Sequence, residues 1–186
     1  MLRIVSGKYR GIRLDEVNSE LTRPTTDKNK ETLFNILGQY FEGGSALDLY
    51  SGSGALGLEA ISRGMTSCTF VDIQREAIQT IQKNVAKIKC EETAIINIMK
   101  QDCISHLKKT TTKYDLILVD PPYQLDVYLE ILDLVSSNEL LTESGVLVFE
   151  SDKSRILPEL VNKLILQRVK VTGNTKFHFY MWEDSV

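Results

Sequence analysis

The sequence has few of the residues that staple small secreted proteins or bind metals. Its 186 residues include three cysteines and two histidines. Cys68, Cys90 and Cys103 are odd in number and widely spaced, which disfavours disulfides and zinc sites and indicates small buried side chains in a reducing compartment. His106 and His178 lack any metal-ligand spacing. We therefore expect no metal centre.

Long apolar runs are missing as well. No segment approaches the roughly 20 residues that cross a bilayer, and the first residues lack the apolar core of a secretory signal. Hydrophobic residues at 42% and charged residues at 25% are typical of a globular rather than a disordered chain. We expect one domain spanning 1–186, cytoplasmic and without membrane contact.

The net charge of −3 is unevenly distributed. The first 30 residues hold seven of the 22 basic side chains but only four acidic ones. We define residues 1–24 as the arm and residues 25–186 as the core. In its first 14 positions the arm has no acid and four basic residues: Arg3, Lys8, Arg10 and Arg13. Such a patch fits phosphate, although a solvated segment has the same composition.

Strand-like and helix-like segments alternate along the core. A helix is predicted at 26–41, and further helices at 56–63, 75–88, 104–109, 127–136 and 156–163. Seven strands are predicted, at 45–50, 68–71, 94–99, 114–119, 146–150, 166–171 and 177–182. Alternation of this kind predicts an α/β fold whose open, mostly parallel sheet has helices on both faces. Gly173-Asn174 predicts that the last two strands form an antiparallel hairpin.

A glycine-rich loop follows the first predicted strand, and ligands of open α/β sheets bind at such strand ends. Gly52 and Gly54 let the backbone approach a ligand, and Gly57 permits close packing of helix on strand. The spacing Gly-x-Gly-x-x-Gly also fits a dinucleotide, with Asp72 as the ribose-binding acid. The loop alone therefore predicts a nucleotide-like ligand of either kind.

Acidic residues lie at the ends of three successive predicted strands. Asp48 suits the ammonium group of S-adenosylmethionine, whereas the pyrophosphate of a dinucleotide needs bare amides. Asp72 can accept from ribose hydroxyls and Asp102 from the adenine amino group, although each acid could instead cap a helix or organise a loop. The predicted cofactor-binding set is Asp48, Ser51, Gly52, Gly54, Asp72, Asp102 and Cys103.

The motif Asp120-Pro121-Pro122-Tyr123 directly follows the apolar strand at 114–119. Paired prolines form stiff turns, but a plain turn requires neither the acid nor the aromatic ring. The exocyclic amine of a base is a poor nucleophile because its lone pair is delocalised. A carboxylate and a Pro-Pro carbonyl can accept its two N–H groups and aim the lone pair at a methyl donor. Because Tyr123 can stack on an unpaired base, the motif predicts methylation of an exocyclic amine.

Taken together, these motifs resemble the bacterial RsmD family, which methylates N2 of a guanine in small-subunit (16S) ribosomal RNA. The resemblance covers nearly the whole chain: Arg3-Ile4-Val5-Ser6-Gly7, the signature Arg23-Pro24-Thr25-Thr26-Asp27-Lys28, the loop 48–57, and Asp120-Pro121-Pro122-Tyr123. It implies a Rossmann-like class I fold that uses S-adenosylmethionine, with a seven-stranded, mostly parallel sheet and a C-terminal antiparallel hairpin.

The resemblance also implies a partner, which is ribosomal RNA within the small subunit or an assembly intermediate. Asp120 and Tyr123 would contact the base. The implied RNA contacts are Arg3, Lys8, Arg10, Arg13 and Arg23. Two positions depart from the family pattern: Asn29 stands where an aliphatic residue is expected, and Tyr50-Ser51 where Phe-Ala or Phe-Cys is commoner.

Other functions use parts of the same pattern. A DNA adenine-N6 methyltransferase shares both motifs but usually adds a target-recognition region, and a protein glutamine methyltransferase more often has Asn in place of Asp120. A nicotinamide-dependent oxidoreductase would use the glycine loop but not the Asp-Pro-Pro-Tyr motif. A non-catalytic RNA-binding module would not need an acid at each cofactor position.

Overall fold

The computed structural model describes residues 1–18 and 25–185. Five α-helices occur in this part of the chain: α1 (Asp27–Leu37), α2 (Ala55–Ser62), α3 (Arg75–Ile88), α4 (Cys103–Lys109) and α5 (Tyr128–Ser137). Thr26 caps α1, because its side chain accepts from the Asn29 N–H. Helix α1 stops short of the predicted residue 41 because Gly38 takes a φ of 118°, which ends the helix.

The described residues also contain eight strands, which form one sheet: β1 (Ser45–Leu49), β2 (Ser67–Asp72), β3 (Ile95–Lys100), β4 (Tyr114–Val119), β5 (Leu141–Asp152), β6 (Leu160–Val161), β7 (Leu164–Thr172) and β8 (Thr175–Trp182). Their order is β3-β2-β1-β4-β5-β8-β7-β6. Strands β1 to β5 are parallel, whereas β6, β7 and β8 are antiparallel to their neighbours. The Rossmann-like fold is confirmed, as is the predicted hairpin, which turns at Gly173-Asn174 with φ of 59° at Gly173.

Two details of the prediction are wrong: the sheet has eight strands rather than seven, and 156–163 is not a helix. Leu160–Val161 forms the additional strand, β6, and pairs with β7. Pro158 explains the difference, because it lacks an N–H and keeps Leu157 out of the helical conformation. Asn162, at a φ of 53°, then turns the chain into β7.

Helices cover both faces of the sheet, and each face has its own hydrophobic core. One core unites β-strand residues with α1, α2 and α3, through side chains such as Phe34, Leu58 and Ile81. The other packs α4 and α5 against the opposite face, through side chains such as Leu107 and Ile131. Within the described residues, no helix combines the length and apolarity that crossing a bilayer requires.

Residues 2–14 of the arm form a hairpin rather than an extended segment. The Leu14 N–H donates to the Leu2 carbonyl at 2.9 Å, and Arg3 and Arg13 form an antiparallel bridge. Leu2, Ile4 and Leu14 are buried in the core of α1, α2 and α3, while Arg3 and Arg13 are exposed. The alternating pattern of a strand therefore presents the charges outward and ties this part of the arm to the core.

A buried ionic cluster fixes the hairpin in place. Glu59 on α2 is fully buried and accepts hydrogen bonds from the Val5 N–H and from Nε of Arg63, both at 2.9 Å. Lys30 on α1 is equally buried, lies 3.8 Å from Glu59 and donates to the Arg3 carbonyl. Burial lowers the pKa of Lys30, and the neighbouring Glu59 opposes that shift. Burying these charges is tolerable because they compensate one another.

Candidate functional site

Acidic residues lie at the carboxyl ends of the five parallel strands, along one edge of the sheet: Asp48 on β1, Asp72 on β2, Asp102 after β3, Asp120 after β4 and Glu150 on β5. The strand order reverses at β1, which has β2 on one side and β4 on the other. Open α/β sheets bind ligands at such a switch point. The fold therefore brings the four predicted acids to one edge and adds a fifth.

The loop from residue 48 to 57 lies at the switch point. A Cβ on Gly57 would lie 2.4 Å from Cε1 of Phe70, so only glycine fits between α2 and β2. This confirms the interpretation of Gly57 as a packing residue. Gly52 and Gly54 have φ of 55° and 80°, which glycine adopts without strain, and space within 4 Å of a Cβ on Gly52 is empty.

Asp48 is 2% exposed, and its Oδ2 accepts from the Gly57 N–H at 3.0 Å. Burial raises the pKa of Asp48 to about 8; the nearby Asp72 adds to the shift, and the Gly57 hydrogen bond opposes it. One oxygen thus organises the loop, and no described residue donates to Oδ1. A buried acid with a raised pKa is stabilised by a cationic ligand, so its chemistry fits the ammonium group of S-adenosylmethionine.

Asp72 and Asp102 organise backbone at the next two strand ends. Asp72 accepts from the N–H groups of Gly52, at 3.0 Å, and Gln74, at 2.9 Å. Asp102 caps α4 by accepting from the Ser105 N–H at 2.8 Å. These hydrogen bonds leave further lone pairs on each carboxylate. Those of Asp72 suit ribose hydroxyls, and those of Asp102 suit an adenine amino group. The donor set therefore fits the cofactor, and contact with it stays a prediction.

Ser51 and Cys103 are buried beneath the loop. The Ser51 hydroxyl accepts from the Val71 N–H at 2.9 Å and donates to the Asp48 carbonyl. The Cys103 thiol accepts from the Tyr50 N–H at 3.3 Å, where Tyr50 holds a φ of 56°. Both side chains are occupied in tying the loop to its neighbours. Any contact of these two residues with a cofactor is thus expected through their backbone.

The Asp-Pro-Pro-Tyr motif begins directly after β4. The Pro122 carbonyl accepts from the Leu125 N–H at 2.9 Å, which closes a turn. Among the described residues nothing donates to the Pro121 carbonyl, so this oxygen is the acceptor that the motif offers to a ligand. Asp120 is partly buried, and the Tyr123 side chain is 43% exposed. The motif thus combines two acceptors with an accessible ring.

Glu150 is the site residue that the sequence analysis missed. Val119 pairs with Phe149, so the next residues, Asp120 and Glu150, lie side by side on neighbouring strands. Burial raises the pKa of Glu150, which is 7% exposed, to about 7. The pKa of Asp120 is raised well above its ordinary value by burial, and further by the Glu150 and Asp48 carboxylates. The sequence signal that could have identified Glu150 is an acidic residue near the end of an apolar strand.

Two side chains around the start of α1 form hydrogen bonds with Glu150 and with Thr175. Thr25 Oγ1 donates to Glu150 Oε2 at 3.2 Å. Asn29 Nδ2 donates to Thr175 Oγ1 at 3.1 Å, at the first residue of β8. The departure from the family pattern at Asn29 therefore links α1 to β8.

Four predicted RNA contacts are exposed on the arm: Arg3, Lys8, Arg10 and Arg13. Nε of Arg3 donates to Asp27 Oδ2 at 2.7 Å, which offsets part of its charge. Arg23 lies outside the described residues. Contact of all five with RNA stays a prediction.

The three cysteines are buried free thiols, as expected of small core residues. Burial raises the pKa of Cys90 to about 11 and that of Cys103 to about 12, so both stay protonated at neutral pH. Over residues 1–18 and 25–185, no group of three His, Cys, Asp or Glu side chains could hold a metal ion.

Comparison with known proteins agrees with this geometry. A family model described as "Conserved hypothetical protein 95" matches residues 2–181. The Bacillus subtilis protein named "Putative rRNA methyltransferase YlbH" is 39% identical over 180 residues, covering 96% of this chain and 98% of that protein. "Ribosomal RNA small subunit methyltransferase D" of Escherichia coli is 34% identical over 182 residues, covering 98% and 90%.

A solved structure shows that the likeness extends to the whole fold. The Escherichia coli protein described as "Putative methyltransferase yhhF" superposes with a TM-score of 0.82 at 32% identity, and the match covers 98% of each chain. Full-length similarity in sequence and structure, together with the site described above, shows that this chain belongs to the RsmD family of methyltransferases.

Proposed function

We propose that the protein transfers a methyl group from S-adenosylmethionine to the exocyclic N2 amine of a guanine in small-subunit ribosomal RNA. One observation carries this proposal: the Asp120 carboxylate and the Pro121 carbonyl offer two acceptors beside the loop that contains Asp48. An amine has two N–H groups to donate, and this pair matches them. The names of the relatives support ribosomal RNA as the substrate.

The described residues suit each part of the cofactor. Asp48 would hold the ammonium group, Asp72 the ribose hydroxyls and Asp102 the adenine amino group. The cofactor supplies an electrophilic methyl group on its sulfonium. Gly52 leaves room for it, because a Cβ there would meet nothing within 4 Å, whereas a Cβ on Gly54 would meet Ile81 and Phe70 at 3.3 Å.

Asp120 and Pro121 would orient the target amine. Accepting both N–H groups directs the nitrogen lone pair at the methyl carbon, and Tyr123 stacks on the unpaired base. The N–C bond forms as the S–C bond breaks, and the electron pair stays on sulfur. The nitrogen then loses its extra proton to solvent. Positioning, rather than a metal or a covalent step, supplies the acceleration.

The exposed basic residues of the arm are proposed to bind the RNA backbone. The acidic body and small basic arm suit a structured ribonucleoprotein, in which few phosphates need to be held. The target guanine must be unpaired or flipped to reach Tyr123. This assignment places the protein in the cytoplasm, where bacterial ribosomes assemble.

The test uses small subunits from a strain that lacks this gene. Incubation with tritiated cofactor and nucleoside analysis should yield labelled N2-methylguanosine; label in DNA instead would contradict the proposal. Asp120→Ala should lower transfer about 10²–10³-fold while S-adenosylhomocysteine still binds. The matched control is Asp126→Ala, since Asp126 is exposed and pairs only with Arg155 among the described residues. Thermal stabilisation by NADH but not by S-adenosylhomocysteine would favour an oxidoreductase.

A further inference from the structure

Glu150 has the position and burial of a residue that contacts the target base. It points to the same face of the sheet as Asp120, because each lies two residues beyond a side chain of the same core, Val148 and Leu118. Asp48 shares that face. Neighbouring strands are about 4.8 Å apart, so the two carboxylates are close enough to bind adjacent atoms of one base.

The contacts of Glu150 with the described residues leave one of its carboxylate oxygens without a donor. Thr25 donates to Oε2, and no described residue donates to Oε1. Over residues 1–18 and 25–185, the ion pairs do not include Glu150, Asp120 or Asp48. Buried carboxylates are costly without donors, and a ligand rich in N–H groups would provide them.

Guanine presents such donors on one edge. N1–H and the N2 amine are adjacent, so a base whose amine lies on Asp120 and Pro121 turns N1–H towards the next strand. Adenine in the same pose would present N1 as an acceptor, which a carboxylate repels. The residue on the next strand therefore decides which base is accepted.

We propose that Glu150 accepts the N1–H of the target guanine and thereby selects guanine over adenine, with Thr25 holding its carboxylate in position. The inference rests on the proposed function and adds the residue that reads the base. It predicts selection by hydrogen bonding, in which a wrong base leaves a buried acceptor unpaired.

Base analogues test this directly with the full-length protein. The methylated guanine, once located, is replaced in reconstituted subunits by 2-aminopurine, which keeps the N2 amine but has no proton on N1. Wild-type protein should methylate it at least about 10²-fold more slowly than guanine. 6-Thioguanine keeps N1–H and alters only position 6, so it should react within about tenfold of guanine. Equal rates on guanine and 2-aminopurine would overturn the inference.

A variant provides the second measurement. The amide of Glu150→Gln can either accept from N1–H or donate to a bare N1, so its preference for guanine over 2-aminopurine should fall to about tenfold or less. An unchanged preference would also overturn the inference. Glu143→Gln, at an exposed position on the same strand, should keep the wild-type preference. Binding of S-adenosylhomocysteine verifies that both variants fold. Failure of wild-type protein to methylate any guanine would instead contradict the proposed function.

Discussion

The hydroxyl of Thr25 donates a hydrogen bond of 3.2 Å to Glu150, across 125 residues of sequence. Thr25 belongs to the signature that runs into α1, whereas Glu150 lies near the carboxyl end of β5. The contact gives the signature a physical role. It connects the chain just before α1 to a carboxylate beside Asp120, and so joins the N-terminal part of the chain to the Asp-Pro-Pro-Tyr motif.

Thr25→Val should impair activity without removing any group that touches substrate. The Thr25 hydrogen bond lowers the pKa of Glu150, so its loss raises that pKa further above about 7. Activity that needs the ionised carboxylate then requires a higher pH. We expect the midpoint of the pH–rate profile to move upward and kcat/KM at pH 7 to fall about tenfold. Thr25→Ser keeps the hydroxyl, so it should retain the wild-type midpoint and the wild-type kcat/KM. If Thr25 had a merely structural role, Thr25→Val would leave the midpoint of the pH–rate profile unchanged.

The succession of elements could be predicted because it depends on local periodicity. The helix at 75–88 and the strand at 114–119 were predicted with the bounds that the structure has. Local signals also explain the errors: Pro158 forbids the helix predicted at 156–163, and Gly38 ends α1 early.

Glu150 could not be predicted as a site residue, because its position beside Asp120 depends on strand register. Glu150 matters because Val119 pairs with Phe149, and strand register is not readable from one segment. The same holds for Lys30 and Glu59, whose contact is tertiary. Acids adjoining the glycine loop or proline motif could be predicted, and those defined by a distant partner could not.

Cofactor binding should release a proton through Asp48. Burial raises its pKa from 3.8 to about 8, so at pH 7 most of the free protein carries the proton. Pairing with the ammonium group favours the ionised form, and the proton leaves. Calorimetric titration with S-adenosylhomocysteine at pH 7, in two buffers of different ionisation enthalpy, should give enthalpies that differ accordingly.

The raised pKa of Asp48 also determines how the free energy of unfolding changes with pH. Between pH 4 and 8 the folded state retains a proton that the unfolded state has lost, so this group makes the free energy of unfolding fall as pH rises. In Asp48→Asn both the buffer dependence and this part of the slope should shrink. A wild-type binding enthalpy that is identical in both buffers would contradict the assignment.

Gly57→Ala should act mainly on stability, whereas Gly52→Ala should act mainly on cofactor binding. The added methyl at position 57 would lie 2.4 Å from Phe70 and 2.8 Å from Cys68, so the free energy of unfolding should fall by about 1–3 kcal/mol. At position 52 the methyl meets nothing within 4 Å, and only the positive φ costs about 1–2 kcal/mol. Its methyl enters the crevice instead, so cofactor affinity should fall more in Gly52→Ala than in Gly57→Ala. Urea denaturation and calorimetry measure the two effects.

Glu59→Gln should loosen the arm. The carboxylate accepts from the Val5 N–H and from Arg63, and lies 3.8 Å from Lys30. Removing its charge leaves Arg63 without an ion-pair partner among the described residues and Lys30 with Asp27 alone, at 3.9 Å, which costs about 3–5 kcal/mol. Backbone amides at residues 4–14 should then exchange faster with deuterium. Glu76→Gln, on the exposed start of α3, provides the control. Unchanged exchange in the arm would show that Leu2 and its apolar neighbours hold it alone.

Charge reversal at Arg10 and Arg13 should weaken RNA binding and leave the chemical step intact. Both side chains are exposed, and neither forms an ion pair with a described residue. Losing two phosphate contacts should raise KM for small subunits about tenfold or more and flatten its salt dependence. Because the described residues give neither arginine side chain a hydrogen bond or ion pair with Asp120 or Glu150, kcat at saturating substrate should stay within about twofold of wild type. The control is Lys109→Glu, which also changes the net charge but lies in α4, on the opposite face of the sheet from the arm. If this variant raised KM equally, the effect of the arm substitutions would reflect the net charge of the protein rather than specific phosphate contacts.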